Sequence, residues 1–120
     1  MEKADITWRM FSVYMLVLFL MFLAGTAFGQ IEIKHFNAGW NKANGVSWFM
    51  GLKDCETISY CDISKDKEMQ KEHKIAVIPT IIIFKDDVEV ARFQADLSFK
   101  MLATRKEVQE EIDNQLMSDF

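Results

Sequence analysis

The chain has 120 residues, half of them apolar, with 18 acidic side chains against 14 basic ones and a formal net charge of -4. That length accommodates one compact domain and excludes a second. Lys3 and Arg9 offset Glu2 and Asp5 near the start, so the acidity belongs to the remainder of the chain. With no basic run and no basic patch interleaved with aromatics, the composition argues against nucleic acid as a partner, because phosphate contacts need clustered Lys and Arg.

Residues 10–28 form an uncharged apolar run preceded by Arg9, and Ala27-Phe28-Gly29 has the small-x-small pattern of a signal-peptidase site. Residues 1–29 therefore read as a signal peptide, with cleavage after Gly29 and a domain over 30–120. The competing reading is an uncleaved membrane anchor, since the apolar run approaches the roughly 20 residues that span a bilayer. The small residues before Gln30 favour cleavage, and no cysteine follows directly to carry a lipid. Either way the domain is expected to be exported, periplasmic or secreted in the first case and held outside the cytoplasm by its anchor in the second. The membrane is a partner only if the segment stays uncleaved.

The alternation of Ile31-Glu32-Ile33-Lys34-His35-Phe36-Asn37-Ala38 predicts a first strand. Trp48, Phe49 and Leu52 fall on one face of a short helix over 46–52, a reading weakened by Gly45 and Gly51. Residues 56–63, rich in β-branched and aromatic side chains, predict a second strand. The charged stretch 64–74 predicts a helix that Ser64 or Asp66 could cap. Pro79 cannot donate to a sheet ladder and so belongs at the start of a strand, here 80–84. An Asp86-Asp87 turn followed by Val88-Glu89-Val90-Ala91-Arg92-Phe93 reads as a hairpin. Residues 94–102 look irregular. Thr104 and Glu107 have capping-box spacing, and Val108, Ile112 and Leu116 repeat at i, i+4 and i+8, which predicts a C-terminal helix.

Cys55 and Cys61 are the only cysteines. An extended chain between them would hold them about 20 Å apart, whereas a disulfide tolerates about 7 Å between Cα atoms. They are expected to be free thiols, buried as small apolar residues, or bridged between molecules if one is exposed. His35, His73, Cys55 and Cys61 share no ligand spacing, so no metal site is expected, and nothing implies a cofactor.

Two stretches carry a family resemblance. Ile78-Pro79-Thr80, with its apolar strand ending in Phe84-Lys85, tight turn and return strand, resembles the second half of the thioredoxin fold. Phe36-Asn37-Ala38-Gly39-Trp40 resembles the family's Phe-x-Ala-x-Trp strand end. The resemblance covers residues 31–120 and, with the apolar N-terminus, is to exported thioredoxin-domain proteins of bacterial type. It implies an α/β fold, a four-stranded mixed sheet with about three helices, lacking the strand and helix that open full-length thioredoxins. It also implies a cis bond at Ile78-Pro79 bordering the site.

In the family the Trp is followed by Cys-x-x-Cys, whose thiolate attacks disulfides. Here those positions are Asn41 and Asn44. An amide forms no thiolate, so the resemblance implies a variant without dithiol exchange at this site, with Asn41 expected as the N-cap of a following helix. The family's buried Asp and Lys correspond to His35 and Tyr60, expected to hydrogen-bond as a buried polar pair, with a general base or pH switch at His35 as the functional alternative. What remains of the family's site is the peptide-docking rim of Trp40, Ile78, Pro79 and Thr80, with Ala95 in place of the usual glycine. The expected function is a peptide- or protein-binding module and not an enzyme. The alternatives are an oxidoreductase that uses Cys55 or Cys61 in a non-standard way and a structural, membrane-tethered partner.

Overall fold

The computed structural model describes residues 10, 12–18 and 30–118. The expected cleavage site lies outside the described residues. Among the described residues, no helix is long and apolar enough to cross a membrane. Four strands, β1 (Ile31–Asn37), β2 (Thr57–Asp62), β3 (Thr80–Lys85) and β4 (Val88–Gln94), form one mixed sheet in the order β2-β1-β3-β4. β1 and β2 are parallel; β1 with β3, and β3 with β4, are antiparallel.

The central strand shows why the sheet has two covered faces. Thr80-Ile81-Ile82-Ile83-Phe84 is a continuous apolar run, the pattern of a strand buried on both sides. Ile81 and Ile83 join Ile31 and Ile33 in a layer closed by Val46, Leu52, Val108 and Ile112. Ile82 and Phe84 join Phe36, Ala38, Ile63, Ile75 and Ile78 in a second layer, on which Met69 packs. The hairpin turn carries Asp86 at φ 52° and Asp87 at φ 66°. Two successive left-handed residues make a turn of the primed type, which Asp tolerates nearly as Asn does. The Asp86 carboxylate also accepts from the Gln30 amide at 3.0 Å, tying the turn to the start of β1.

Helix α1 (Lys67–Glu72) begins at Asp66, whose side chain accepts from the Met69 amide, and helix α2 (Arg105–Met117) begins at Thr104, which accepts from the Glu107 amide. The Lys85 ammonium closes the far end of α2, donating to the Gln115 carbonyl at 2.8 Å and the Ser118 hydroxyl at 3.0 Å. The connection from β1 to β2 departs from the expected helix over 46–52. Two short 3-10 turns, Gly39–Asn44 and Phe49–Gly51, take its place, giving about four helices over residues 30–118. Gly45 between them is extended, with φ -62° and ψ 154°. A Cβ there would meet the Lys42 carbonyl at 3.1 Å, so glycine permits this close passage of the chain.

Candidate functional site

The Ile78-Pro79 peptide bond is cis. Around it the chain is closed by its own hydrogen bonds: the Thr80 hydroxyl donates to the Val77 carbonyl at 2.7 Å, and the Ala95 amide donates to the Pro79 carbonyl at 3.0 Å. The side chains of Ile78, Pro79 and Thr80 are all buried. Their side chains therefore offer no docking surface, and docking at these positions would be against the backbone beside the proline. They pack the floor of the site, and only Trp40, Asn44 and Ala95 of the expected set remain at least partly accessible.

The residues after Ala95, irregular by sequence pattern, form a tight turn. The Asp96 carboxylate accepts from the Ser98 amide (2.9 Å), the Ser98 hydroxyl (2.6 Å) and the Lys100 amide (3.2 Å). The Ser98 hydroxyl bond in particular holds the Asp96 carboxyl below its ordinary value. This turn places Phe99 in the left-handed region, at φ 65°, an uncommon backbone conformation for a bulky residue. The Phe99 ring meets Trp40 edge to face with centroids 5.3 Å apart. Trp40 is 69% exposed, Phe99 40% and Leu97 92%. The Asp96-Leu97-Ser98 spacing is an Asx-turn signal that could have pointed to Leu97 and Phe99 in advance.

Beneath Trp40 lies a network of amides. Asn41, 4% exposed, donates from Nδ2 to Asn37 Oδ1 at 3.1 Å and to the Phe99 carbonyl at 3.3 Å. The Asn37 side chain donates to the Asn41 carbonyl at 3.2 Å, and Asn44 Nδ2 donates to Asn41 Oδ1 at 2.9 Å. Asn41 is thus not the N-cap that was expected. Ala38 holds that position without a side-chain bond, and Asn41 sits inside the 3-10 turn with non-helical φ -109°. Its amide locks the Phe99 turn onto the β1 end, a task that uses two strong donor bonds at once where a thiol has one weak donor.

His35 and Tyr60 are register partners on β1 and β2, but they do not form the buried hydrogen-bonded pair that was expected. His35 is 2% exposed, whereas Tyr60 is 47% exposed on the sheet-edge strand, and their rings meet edge to face at 5.2 Å. Phe49 meets the imidazole likewise at 4.5 Å. The Val46 amide donates to His35 Nε2 at 3.5 Å, while the buried Nδ1 has no partner among the described residues. An accepting Nε2 puts the proton of the neutral ring on Nδ1. Burial pushes the His35 pKa down to about 4.

Cys55 and Cys61 are free and only partly buried, more open than expected. They pack on opposite faces of the sheet, Cys55 beside the layer of Ile31 and Val108, Cys61 beside that of Phe36 and Ile82. Cys61 pairs in register with Phe36, which pairs in turn with Thr80. Two strand spacings, about 10 Å, therefore separate Cys61 from the residue after Pro79. Burial, then Asp54, pushes the Cys55 thiol up; burial, then Asp66 and Asp62, pushes the Cys61 thiol up. Both cysteines are expected to alkylate with iodoacetamide several-fold more slowly than a free cysteine peptide at pH 7.5. Mass spectrometry over time checks this, and fast labelling of either thiol would contradict it. Among the described residues, no group of three or more His, Cys, Asp or Glu side chains could hold a metal ion.

A parallel β1–β2 pair, two antiparallel strands behind a cis-proline and a C-terminal helix together define a thioredoxin-like fold. The solved structures that it resembles include thioredoxins. A mutant thioredoxin from Halobacterium salinarum NRC-1 superposes with a TM-score of 0.57 at 14% identity, over 72% of this chain and 75% of that chain. The reduced thioredoxin of Schistosoma mansoni gives 0.56 at 20% identity, over 79% and 88%. Fasciola hepatica thioredoxin gives 0.51 at 20% identity, over 79% and 89%. At these identities the likeness is one of fold. No protein-family model matches the sequence. No curated protein matches it either.

Proposed function

We propose that this domain is a thioredoxin-fold binding module, without dithiol exchange at Asn41 and Asn44, that takes a peptide or protein segment on the surface of Trp40, Phe99 and Leu97. The observation that carries the reading is the exposed Trp40 ring, braced edge-on by Phe99. Clustered exposed aromatic and aliphatic side chains mark contact surfaces, and Trp is among the residues that dominate binding energy. The buried amide network supports the reading, because Asn41 and Asn44 both serve to hold that surface rigid. The alternative of a thiol enzyme has little support in two cysteines whose thiols are pushed up and which lie on opposite faces of the sheet. We also read residues 1–29 as the export segment, which N-terminal sequencing of the exported protein tests by showing residue 30 or residue 1 first.

The direct test is panning of a displayed peptide library on the immobilised protein. Selected peptides are expected to bind Trp40→Ser about tenfold or more weakly than wild type, with insulin reduction at background throughout. Equal binding by Trp40→Ser would remove the surface from consideration. Insulin turnover that is lost in Cys61→Ser would replace the reading with the enzymatic one.

A further inference from the structure

The parallel strands β1 and β2 end at Asn37 and Asp62, and both residues line a cleft of about 540 Å³. In open α/β sheets, ligands sit in crevices outside the carboxyl ends of the strands, and the volume falls within the roughly 300–1,000 Å³ of small-molecule pockets. His35, Phe49 and Tyr60 give the cleft an aromatic lining, and Gly39 and Gly45 come from the connector. Its charged groups are Lys42, Lys65 and Asp62. Asp62 is already engaged, accepting from the Ser64 amide at 3.0 Å and the Ser64 hydroxyl at 2.5 Å. With His35 neutral, two lysines against one aspartate leave the cleft net positive.

A second observation points to a ligand. A buried donor left without an acceptor is destabilising, and native folds rarely tolerate one without a reason. His35 Nδ1 is such a donor, since Nε2 is occupied by Val46 and the ring flanks are Phe49 and Tyr60. We infer that the cleft is a binding site for a small organic carboxylate with an aromatic or branched aliphatic body, its oxygen accepting from His35 Nδ1–H, its charge drawn by Lys42 and Lys65, and its body lying against Phe49 and Tyr60. Tyr60 is the ring that makes way. It stands on the edge strand, about half exposed, and meets the imidazole edge to face. A neutral donor sunk among apolar rings accounts for selectivity, because a ligand without an acceptor leaves that donor unpaired. The site is independent of the Trp40 surface and stands or falls separately from it.

The test titrates phenylacetate into the full chain labelled with 15N, kept in solution with a mild detergent, with benzyl alcohol and phenethylammonium as neutral and cationic counterparts. Phenylacetate is expected to shift the His35 side-chain nitrogen signals and the Tyr60 ring signals while leaving Trp40 unmoved. It should bind about tenfold tighter than either counterpart, the margin that one charge-assisted hydrogen bond supplies. His35→Phe, which keeps an aromatic ring and removes the donor, is expected to weaken phenylacetate about tenfold. The exposed Lys42→Gln and Lys65→Gln changes, which touch no core contact, should each weaken it about threefold, so the inference stays testable if His35→Phe fails to fold. Equal binding of the three probes, shifts at Trp40 in place of His35, or unchanged affinity in the double lysine variant would overturn it.

Discussion

Acidification from pH 7 to pH 4 is expected to remove about 3 kcal/mol of folding stability through His35 alone. The imidazole titrates at 6.5 in an unfolded chain, and burial lowers it to about 4 in the fold. As pH falls through 6.5 the unfolded chain takes up the proton first, so equilibrium moves toward unfolding. The contribution of the neutral, buried ring is complete above pH 6.5 and is gone once pH falls through about 4. Around the ring stand the Val46 amide and the rings of Phe49 and Tyr60, with Lys42, Lys65 and Asp62 lining the same cleft. No carboxylate bonds to either ring nitrogen among the described residues, which is why nothing holds the charged form. The Asp62 and Asp96 carboxyls are lowered from 3.8 by their serine partners, so their own losses fall at still lower pH. Urea unfolding at pH 7 and pH 4 measures the effect, with His35→Phe as the reference. Wild type should lose about 3 kcal/mol more than the variant on acidification, and equal losses would refute a neutral buried His35. Small domains hold about 5–15 kcal/mol in total, so this one ring makes a mildly acidic medium a serious challenge to the fold.

The same imidazole shows where the sequence stops being informative. The strands themselves were legible: the unbroken run from Thr80 to Phe84 can only be a strand covered on both faces, and the Thr104 cap with Val108 and Ile112 behind it can only be a helix packed on one side. Both follow from local patterns. That His35 and Tyr60 are opposite each other came from the family resemblance, and the observed register agrees. What was not legible is that Tyr60 lies at a sheet edge, because exposure of β2 depends on what fails to pair with it and not on its own residues. The expected helix over 46–52 failed for a related reason. Its apolar spacing suits a helix, but the chain is extended at Gly45 before it and again at Leu52 within it, leaving only the 3-10 turn Phe49–Gly51. Asn41 was seen as a site residue and given the wrong task, since an amide that caps a helix and an amide that bridges a strand end to a distant loop look alike in sequence. Only the long-range bond to the Phe99 carbonyl, from a turn governed by Asp96, distinguishes them.

Asn41→Ala is the substitution expected to do most damage at the site, at a cost of about 2–4 kcal/mol. The methyl group would leave Asn37 Oδ1 and the Phe99 carbonyl without the donor they now share, and Asn37 is itself almost wholly buried. Asn37 Oδ1 left dry at about 1–3 kcal/mol, and the part-buried bond to Phe99 lost at about 1 kcal/mol, give that range. Asn44 loses an acceptor too, but it is partly exposed and water can replace the bond. The consequence reaches the surface, because the Asn41 to Phe99 bond is what ties the 96–100 turn to the β1 end. Freed of it, the left-handed conformation of Phe99 has less to hold it, and the edge-on contact with Trp40 should loosen. Fluorine NMR of a chain carrying fluorotryptophan, with Trp40→Phe used to assign the signal, reads that contact while urea unfolding reads the stability. The expected result is a lower unfolding midpoint together with a broadened Trp40 resonance. Asn44→Ala serves as the comparison, since it removes one part-buried bond and leaves only Asn41 Oδ1 without a donor, and should cost about 1–2 kcal/mol. If Asn41→Ala and Asn44→Ala proved equally mild, and Trp40 kept its resonance in both, the amide network would be ornament, and the rigidity of the Trp40 surface would have to come from the ring contact alone.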